Sequence, residues 1–466
     1  MDLIEEEAFA KVVLDNKLED VCANCFQESI VKKFFHCAKC EVIHYCSKEC
    51  QISDWINHKP ECKANRRNSG RILNEDDRLI ARIIWKLARG GDPPTLNGRK
   101  WADLDGFREG KHFPMDDERL DECMEDLAMY MGVSDLPKRD VVKNIIHKVD
   151  YNMMQIMNNQ MVPIGIGIYV GLIAHKHSCN PDGHILFSGG KAVFRSRKKD
   201  VTYSKDLTVN YLSLMQTKEE RNKHIVLLFG KECNCQVCQD EERDRMAMSV
   251  RCSVCSKGIC PLNPDAGQLV CSTCGRKAPI GIKEALKCNQ QVKRQLRKLD
   301  KSKKMDLRAC MAESVNVYDR NVSKLSHINL YLGRLASSIQ RLCSILKDKD
   351  LCRQFATAPL ESYNYFLSPG DRDLTEVHFR SVVCMSWVLN DPNHPELRNL
   401  LQLTLSLSSI SHGERFRDYA GGVSNNPFFS YFENEKEAAQ HIRDVVIETE
   451  GRIQPENFHF IRVPKQ

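Results

Sequence analysis

Eight side chains able to bind a soft divalent metal stand between Cys22 and Cys62. They read Cys22-x2-Cys25-x11-Cys37-x2-Cys40-x5-Cys46-x3-Cys50-x7-His58-x3-Cys62, seven thiols and one imidazole. Zinc takes four tetrahedral sulfur or nitrogen ligands, and a sphere filled by protein is structural rather than catalytic. Eight ligands therefore predict two closed sites, whose binding free energy folds a segment too small to own an apolar core. A second group, Cys233-x-Cys235-x2-Cys238, is one ligand short of a site. A third, Cys252-x2-Cys255-x15-Cys271-x2-Cys274, has the paired-knuckle spacing of a zinc ribbon, with Cys260 and Cys288 as thiols that can displace one of the four. Cys310, Cys343 and Cys384 fall in helical patterns and read as small core residues.

From Gly165 the chain runs Gly-Ile-Gly-Ile-Tyr-Val-Gly-Leu-Ile-Ala-His-Lys-His-Ser-Cys-Asn-Pro-Asp. Gly165, Gly167 and Gly171 miss the G-x-G-x-x-G spacing, and no acidic residue follows about 20 positions on in a βαβ context, so a dinucleotide site is rejected.

The cysteine string matches the MYND zinc finger at every ligand position. That resemblance implies interleaved pairing: Cys22, Cys25, Cys46 and Cys50 on one zinc, and Cys37, Cys40, His58 and Cys62 on the other. In that family the finger is mostly a protein-interaction module, which makes Trp55 and its lysine neighbours a docking surface; a buried structural tryptophan is the other reading. His177-Ser178-Cys179-x-Pro181 and Leu207-Thr208-Val209-Asn210-Tyr211 resemble the two signature motifs of the SET domain. Together with the finger, the trailing Cys-x-Cys-x2-Cys, Asn152, Gly165–Tyr169 and Lys218-Glu219-Glu220-Arg221, they look like the SET-and-MYND (SMYD) protein-lysine methyltransferases over about residues 8 to 240.

The resemblance implies an α+β fold: a zinc-rich, β-rich SET core split by a MYND finger and a helical insert, then an all-α, tetratricopeptide-like C-terminal domain that restricts the substrate cleft. It implies S-adenosylmethionine as methyl donor, Tyr211 as the catalytic phenol, and Asn152, Lys176, His177 and Tyr211 around the cofactor. It also adds Cys179 to Cys233, Cys235 and Cys238 on a third zinc, for four zincs with the ribbon. Methyl transfer from a sulfonium to a lysine amine is an in-line displacement on a neutral nucleophile, so the protein contributes positioning and electrostatics. A phenol aimed at the reacting centre orients methyl and amine, and a narrow dry channel favours loss of the lysine proton beside the sulfonium.

Three positions depart from the family pattern. No glycine occurs among the 21 residues before Cys22, where the family carries a Gly-x-Gly cofactor loop, so that loop is expected to be missing or shortened. Lys176 replaces the signature asparagine, and a cation beside a sulfonium is unfavourable. Asp182 replaces a second asparagine. The competing function is a catalytically inactive zinc adaptor that mediates protein–protein interaction.

The elements that must carry these groups follow from composition and pattern. The chain has 466 residues, 42% hydrophobic and 28% charged, which predicts a folded, soluble protein of several domains. A net charge of +6 is too thin to mark a nucleic-acid binder. The longest apolar, charge-free stretch, Met161 to Ala174, falls short of a membrane span, and the acidic start lacks secretory or transit features. Nucleus and cytoplasm are the expected locations, with chromatin regulation through histone-lysine methylation as the expected setting.

Apolar positions 79, 80, 83, 84 and 87 predict a helix in the insert. Strands are predicted at Met161–Tyr169, His184–Phe187, Lys191–Phe194 and Asp206–Asn210, with a hairpin turn at Ser188-Gly189-Gly190. Leu325, Ile328, Leu332, Leu335, Ile339, Leu342 and Leu346 predict one amphipathic helix; others are predicted from Pro395 and through Ala439, Ile442 and Val446. The basic run Lys293–Lys304 reads as a solvated helix face with Leu296 and Leu299 inward, or as a nuclear-import or nucleic-acid patch. The predicted domains are residues 1–21 (truncated N-terminal part of SET), 22–62 (finger), 63–143 (helical insert), 144–212 (SET core), 213–275 (post-SET zinc region and ribbon) and 276–466 (helical).

Overall fold

The computed structural model describes residues 2–29, 34–68, 72–95, 97–104, 117–158, 163–198, 200–255, 257–301, 306–391 and 394–412. The stripe at Ala439, Ile442 and Val446 and the end of the basic run lie outside the described residues. Two compact units emerge, Met1–Asn210 with His224–Glu232, and Tyr211–Lys223 with Cys233–Gln466. The fold mixes sheet and helix, with a helical C-terminal region.

The first unit runs β1 (Asp2–Glu7), β2 (Ala10–Val13), β3 (Phe35–His36), β4 (His44–Tyr45), α1 (Lys48–Arg67), α2 (Glu75–Ala88), α3 (Asp117–Met131) and α4 (Arg139–Asn152). It continues with β5 (Met153–Met157), β6 (Pro163–Ile168), β7 (Lys176–His177), β8 (Gly183–Ser188), β9 (Lys191–Ser196) and β10 (Thr208–Val209). One sheet has the order β1-β9-β8-β10-β7 and a second β2-β6-β5. The predicted strands are present as β6, β8, β9 and β10; β8 and β9 run one or two residues beyond the predicted ends, and the last is reduced to Thr208–Val209.

Gly189 and Gly190 make the two-residue connection of the β8–β9 hairpin, where Ser188 pairs with Lys191. Gly189 has φ +56°, and a Cβ there would lie 2.1 Å from the Cys25 carbonyl oxygen, so both backbone and space demand glycine. The same close approach lets Gly190 N–H donate to that carbonyl at 3.2 Å, pinning a finger knuckle to the hairpin. Gly165 and Gly167, tempting as a phosphate loop, lie inside β6 instead. A Cβ on Gly165 would fall 2.3 Å from the Phe26 ring and 2.7 Å from the Val12 carbonyl oxygen.

α2 buries Leu79, Ile80, Ile83 and Ile84 of the predicted stripe. It also buries cations, for a geometric reason. β2 pairs with β6 along one edge, and its outward carbonyls are met by α2. Arg78 Nη2 donates to Val13 O at 2.6 Å, Arg82 Nη1 to Lys11 O at 3.0 Å and Lys86 Nζ to Phe9 O at 2.7 Å. Four helical residues rise roughly 6 Å and two strand residues roughly 6.6 Å, so i, i+4, i+8 on an antiparallel helix tracks alternate carbonyls of a strand. A sheet edge that would otherwise present unpaired acceptors is thereby satisfied.

The second unit contains the start of α5 (Lys218–Phe229), then α6 (Gln236–Gln239), α7 (Glu241–Ala247), β11 (Val250–Arg251) and β12 (Ile259–Cys260). The helices α8 (Ile282–Lys301), α9 (Leu307–Val322), α10 (Leu330–Ile345), α11 (Lys349–Phe355), α12 (Leu360–Phe366), α13 (Arg372–Leu389) and α14 (Pro395–Ser411) follow. One expectation is corrected: the Leu325–Leu346 stripe is not a single helix. Leu325 bridges antiparallel to Val250, and Asn329 caps α10, its Oδ1 accepting from Leu332 N–H at 3.1 Å. Leu325 and Ile328 are buried all the same, so the period marked inward residues but not the chain's path. The Asn329 amide also donates to Ser249 O at 3.1 Å, fastening the cap to the segment before β11. The basic run lies on α8 with Leu296 buried, Leu299 half-buried, and Arg294, Arg297 and Lys298 exposed. That is the solvated-face arrangement.

Candidate metal centres and active site

All 22 cysteines are thiols without disulfides. In the finger, β3, β4 and α1 bring together Cys22, Cys25, Cys46 and Cys50 in one group and Cys37, Cys40, His58 and Cys62 in another, the ligand atoms of each within 4.8 Å of one another. Cys25 and Cys46 sulfurs lie 3.6 Å apart, Cys46 and Cys50 3.4 Å, Cys37 and Cys62 3.8 Å, and Cys40 Sγ is 3.6 Å from His58 Nε2. Zinc–sulfur bonds of about 2.3 Å place tetrahedral sulfurs roughly 3.8 Å apart, so the spacing fits the ion. The ribbon thiols Cys252, Cys255, Cys271 and Cys274 form a like group, with Cys252 and Cys274 at 3.7 Å. Cys260, buried in β12, and Cys288, buried in α8, stay outside it. Cys233, Cys235 and Cys238 converge in the second unit; Cys179 is buried in the first, its sulfur 3.4 Å from His177 Nε2.

Thiols packed this closely cannot all ionise without a cation among them. Burial and the neighbouring Cys40 and Cys37 push Cys62 up to about 12. Cys37 is pushed down to about 6, since the Cys40 and Lys39 N–H groups and His58 outweigh its burial. A divalent ion removes that conflict.

Beyond the ligands lies a charged shell that sequence reading missed. His58 Nδ1 is 3.1 Å from Glu61 Oε2, which accepts from Arg82 Nη2 at 2.6 Å. Arg82 Nη2 is also 3.4 Å from Asp54, whose Oδ2 accepts from Tyr45 O–H at 2.9 Å. All five residues are buried. Burial would raise the Glu61 pKa, but Arg82 and the His58 hydrogen bond hold it well below the ordinary carboxylate range. An ionised Glu61 accepts a hydrogen bond from His58 Nδ1–H and leaves the Nε2 lone pair toward the cysteine sulfurs, free to bind a metal, the usual carboxylate–histidine arrangement around zinc. The signal was present in the sequence: Asp54, His58 and Glu61 recur on the face of α1 that carries Cys50 and Cys62, and Arg82 interrupts an apolar helix.

The signature segment is held by parallel pairing. Thr208 is opposite Lys176 and Val209 opposite His177, and Ser178 N–H donates to Val209 O at 2.9 Å. Asp182 is structural: its Oδ2 accepts from Thr208 N–H at 3.0 Å and from the Thr208 hydroxyl at 2.9 Å, and Lys198 pairs with Oδ1 at 2.9 Å. Buried His175 bonds Leu207 O through Nδ1 at 2.8 Å and the Tyr203 hydroxyl through Nε2 at 3.1 Å, with its ring 4.8 Å from Phe194. Glu6, also missed, accepts the Gly171 and Leu172 N–H groups at 2.8 and 2.7 Å, tying β1 to the chain ahead of the signature. Asn152 is buried at the end of α4, its amide donating to Lys148 O at 2.8 Å. Lys176 is exposed, His177 half-buried against Phe229, and Tyr211 half-buried at the start of the second unit.

Trp55 is 36% exposed, which decides against a buried structural role. With exposed Ile52 and Ile56 it lines a groove that also includes Lys39, Lys59 and Lys63, and Lys39 Nζ is 5.9 Å from its ring centroid. Among the described residues no helix is long and apolar enough to cross a membrane.

The molecule is thus a mixed helix-and-sheet protein organised by cysteine clusters, with a zinc finger near its start. The family model of the MYND finger matches residues 22–62. Histone-lysine N-methyltransferase SMYD1 of Homo sapiens is 23% identical over 440 residues, covering 85% of this chain and 83% of that protein. Histone-lysine N-methyltransferase SMYD3 of Homo sapiens is 23% identical over 420 residues, covering 88% of each. N-lysine methyltransferase SMYD2-A of Danio rerio is 25% identical over 252 residues, 52% of this chain and 56% of its own. A MYND finger and SMYD relatives that extend over most of its length support an SMYD-family protein.

Proposed function

We propose that this protein is an S-adenosylmethionine-dependent protein-lysine N-methyltransferase acting on histone or other protein lysines, with a SET core split by the finger and helical insert and a tetratricopeptide-like C-terminal domain. The observation that carries the reading is the parallel pairing of Lys176-His177 with Thr208-Val209, which sets the signature segment beside the strand that leads into Tyr211. S-adenosylmethionine, when bound, supplies an electrophilic methyl on a sulfonium. Tyr211 orients the incoming amine and the methyl through its phenol oxygen. Asn152, Lys176 and His177 are the cofactor-contacting positions. Cys179 completes a zinc site with Cys233, Cys235 and Cys238, and the ribbon holds a fourth ion. The groove at Trp55, with its apolar anchors and lysines, is the docking face for protein partners. Nucleus and cytoplasm are the compartments this activity would serve.

The named relatives are methyltransferases, which does not favour the inactive adaptor. The test is incubation with isotope-labelled S-adenosylmethionine and histone and non-histone proteins, followed by mass spectrometry. Label on lysine side chains is expected; none on any protein would leave the adaptor as the better account.

A further inference from the structure

Tyr211 follows the last strand residue, Val209, by two positions, so the strand alone does not fix its phenol. The segment just after it, Ser213–Gln216, is instead gripped by the helical elements of its own unit. Arg243, on α7, directs its guanidinium to two carbonyls of that segment: Nη2 donates to Leu214 O at 2.6 Å and Nη1 to Gln216 O at 3.3 Å. Its guanidinium carbon lies 5.0 Å from the ring centroid of Phe366 at the end of α12, and its side chain is only 9% exposed. Arg221 Nη1 adds a bond to Gln216 O at 2.6 Å. From the first turn of α13, Asp373 Oδ2 accepts from the Ser213 hydroxyl at 2.5 Å, and that hydroxyl accepts from Met215 N–H at 3.2 Å. Leu214 and Met215 are buried beneath these contacts.

We infer that Arg243, seated on Phe366, and Asp373 are positioning residues through which the helical region sets the place of Tyr211 during methyl transfer. This rests on the proposed methyltransferase reading. Methyl displacement needs near-linear alignment, and a misplacement of about 1 Å costs on the order of a hundredfold in rate. A forked, planar donor fixes two carbonyls two residues apart, where a single ammonium fixes one. Arg243 thus holds the chain that bears the phenol without itself meeting the substrate.

Arg243→Ala, Arg243→Lys and Ser213→Ala are compared with the wild-type full chain by amide hydrogen exchange over residues 212–217 and by steady-state methylation of a protein substrate. In Arg243→Ala, exchange of this segment is expected to accelerate by about tenfold or more, because a local closing contact is lost. Turnover should fall roughly 10- to 100-fold, with KM for S-adenosylmethionine within about twofold and zinc content unchanged. Arg243→Lys should recover part of both losses. Unchanged exchange, or faster exchange with unchanged turnover, overturns the inference. If Arg243→Ala does not fold, Ser213→Ala decides, since it deletes one exposed contact: a turnover loss of about threefold or more supports the inference and none overturns it. If the wild-type chain transfers no methyl group, the functional reading fails, and exchange in the variants alone decides whether the clamp exists.

Discussion

Tyr211→Phe removes one oxygen and leaves the ring, so its effect separates chemistry from packing. Turnover should fall by about a hundredfold or more while zinc content and melting temperature stay unchanged, because the phenol acts on the transition state. Unchanged turnover in a steady-state assay would place the active site elsewhere. Lys176 is exposed, and that moderates what its charge can do. Two like charges about 5 Å apart cost roughly 3 kcal/mol at an effective dielectric of 20 but only about 1 in water. Lys176→Asn should therefore tighten S-adenosylmethionine by up to about fivefold, and uncharged S-adenosylhomocysteine by less; equal gains by calorimetry would point to a new hydrogen bond instead. His175 carries a pH prediction. Burial holds its pKa below the ordinary 6.5, with the Leu207 carbonyl opposing. A depressed pKa stabilises the fold above about 6.5, and that contribution is lost as pH falls through the lower folded value. Thermal melting across this range should lose that increment in His175→Gln, which keeps a donor and an acceptor; an identical pH profile in the variant contradicts it.

At the scale of elements, the finger's ligand spacing was legible because zinc geometry constrains sequence over a few residues. Its charged shell was not, because Arg82 lies on another helix and meets Glu61 only in the folded chain. Glu61→Gln should leave the finger folded but weaken zinc retention about 10- to 100-fold in chelator competition, since His58 loses the acceptor that sets its tautomer. Equal retention would reduce Glu61 to a packing role. Cys40→Ser should fare worse, losing the ion and local structure. The hairpin at Gly189-Gly190 was readable from turn chemistry. The boundary of α10 was not, because Leu325 continues the helical period while pairing as a strand with Val250. Tertiary bridging overrode a correct inward pattern.

Across the whole molecule, the helical C-terminal region was legible where cysteine knuckles and glycine punctuation give way to 3.6-residue periodicity after Gly275, whereas the division between the two units, at Asn210 and Tyr211, falls ahead of the last knuckles and carries no such signal. The clamp on the segment after Tyr211 was invisible to that reading, since Arg243, Phe366 and Asp373 are dispersed along the chain and carry no motif. Elemental analysis should return four zincs per chain; two or fewer would remove the ribbon and the Cys179 site from the account. The central claim is that an SMYD-family chain with Lys176 in its signature still binds the methyl donor. Calorimetric titration of the full chain with S-adenosylmethionine tests it most directly. Saturable one-to-one binding in the micromolar range is the predicted result, and no heat of binding up to millimolar donor would contradict it.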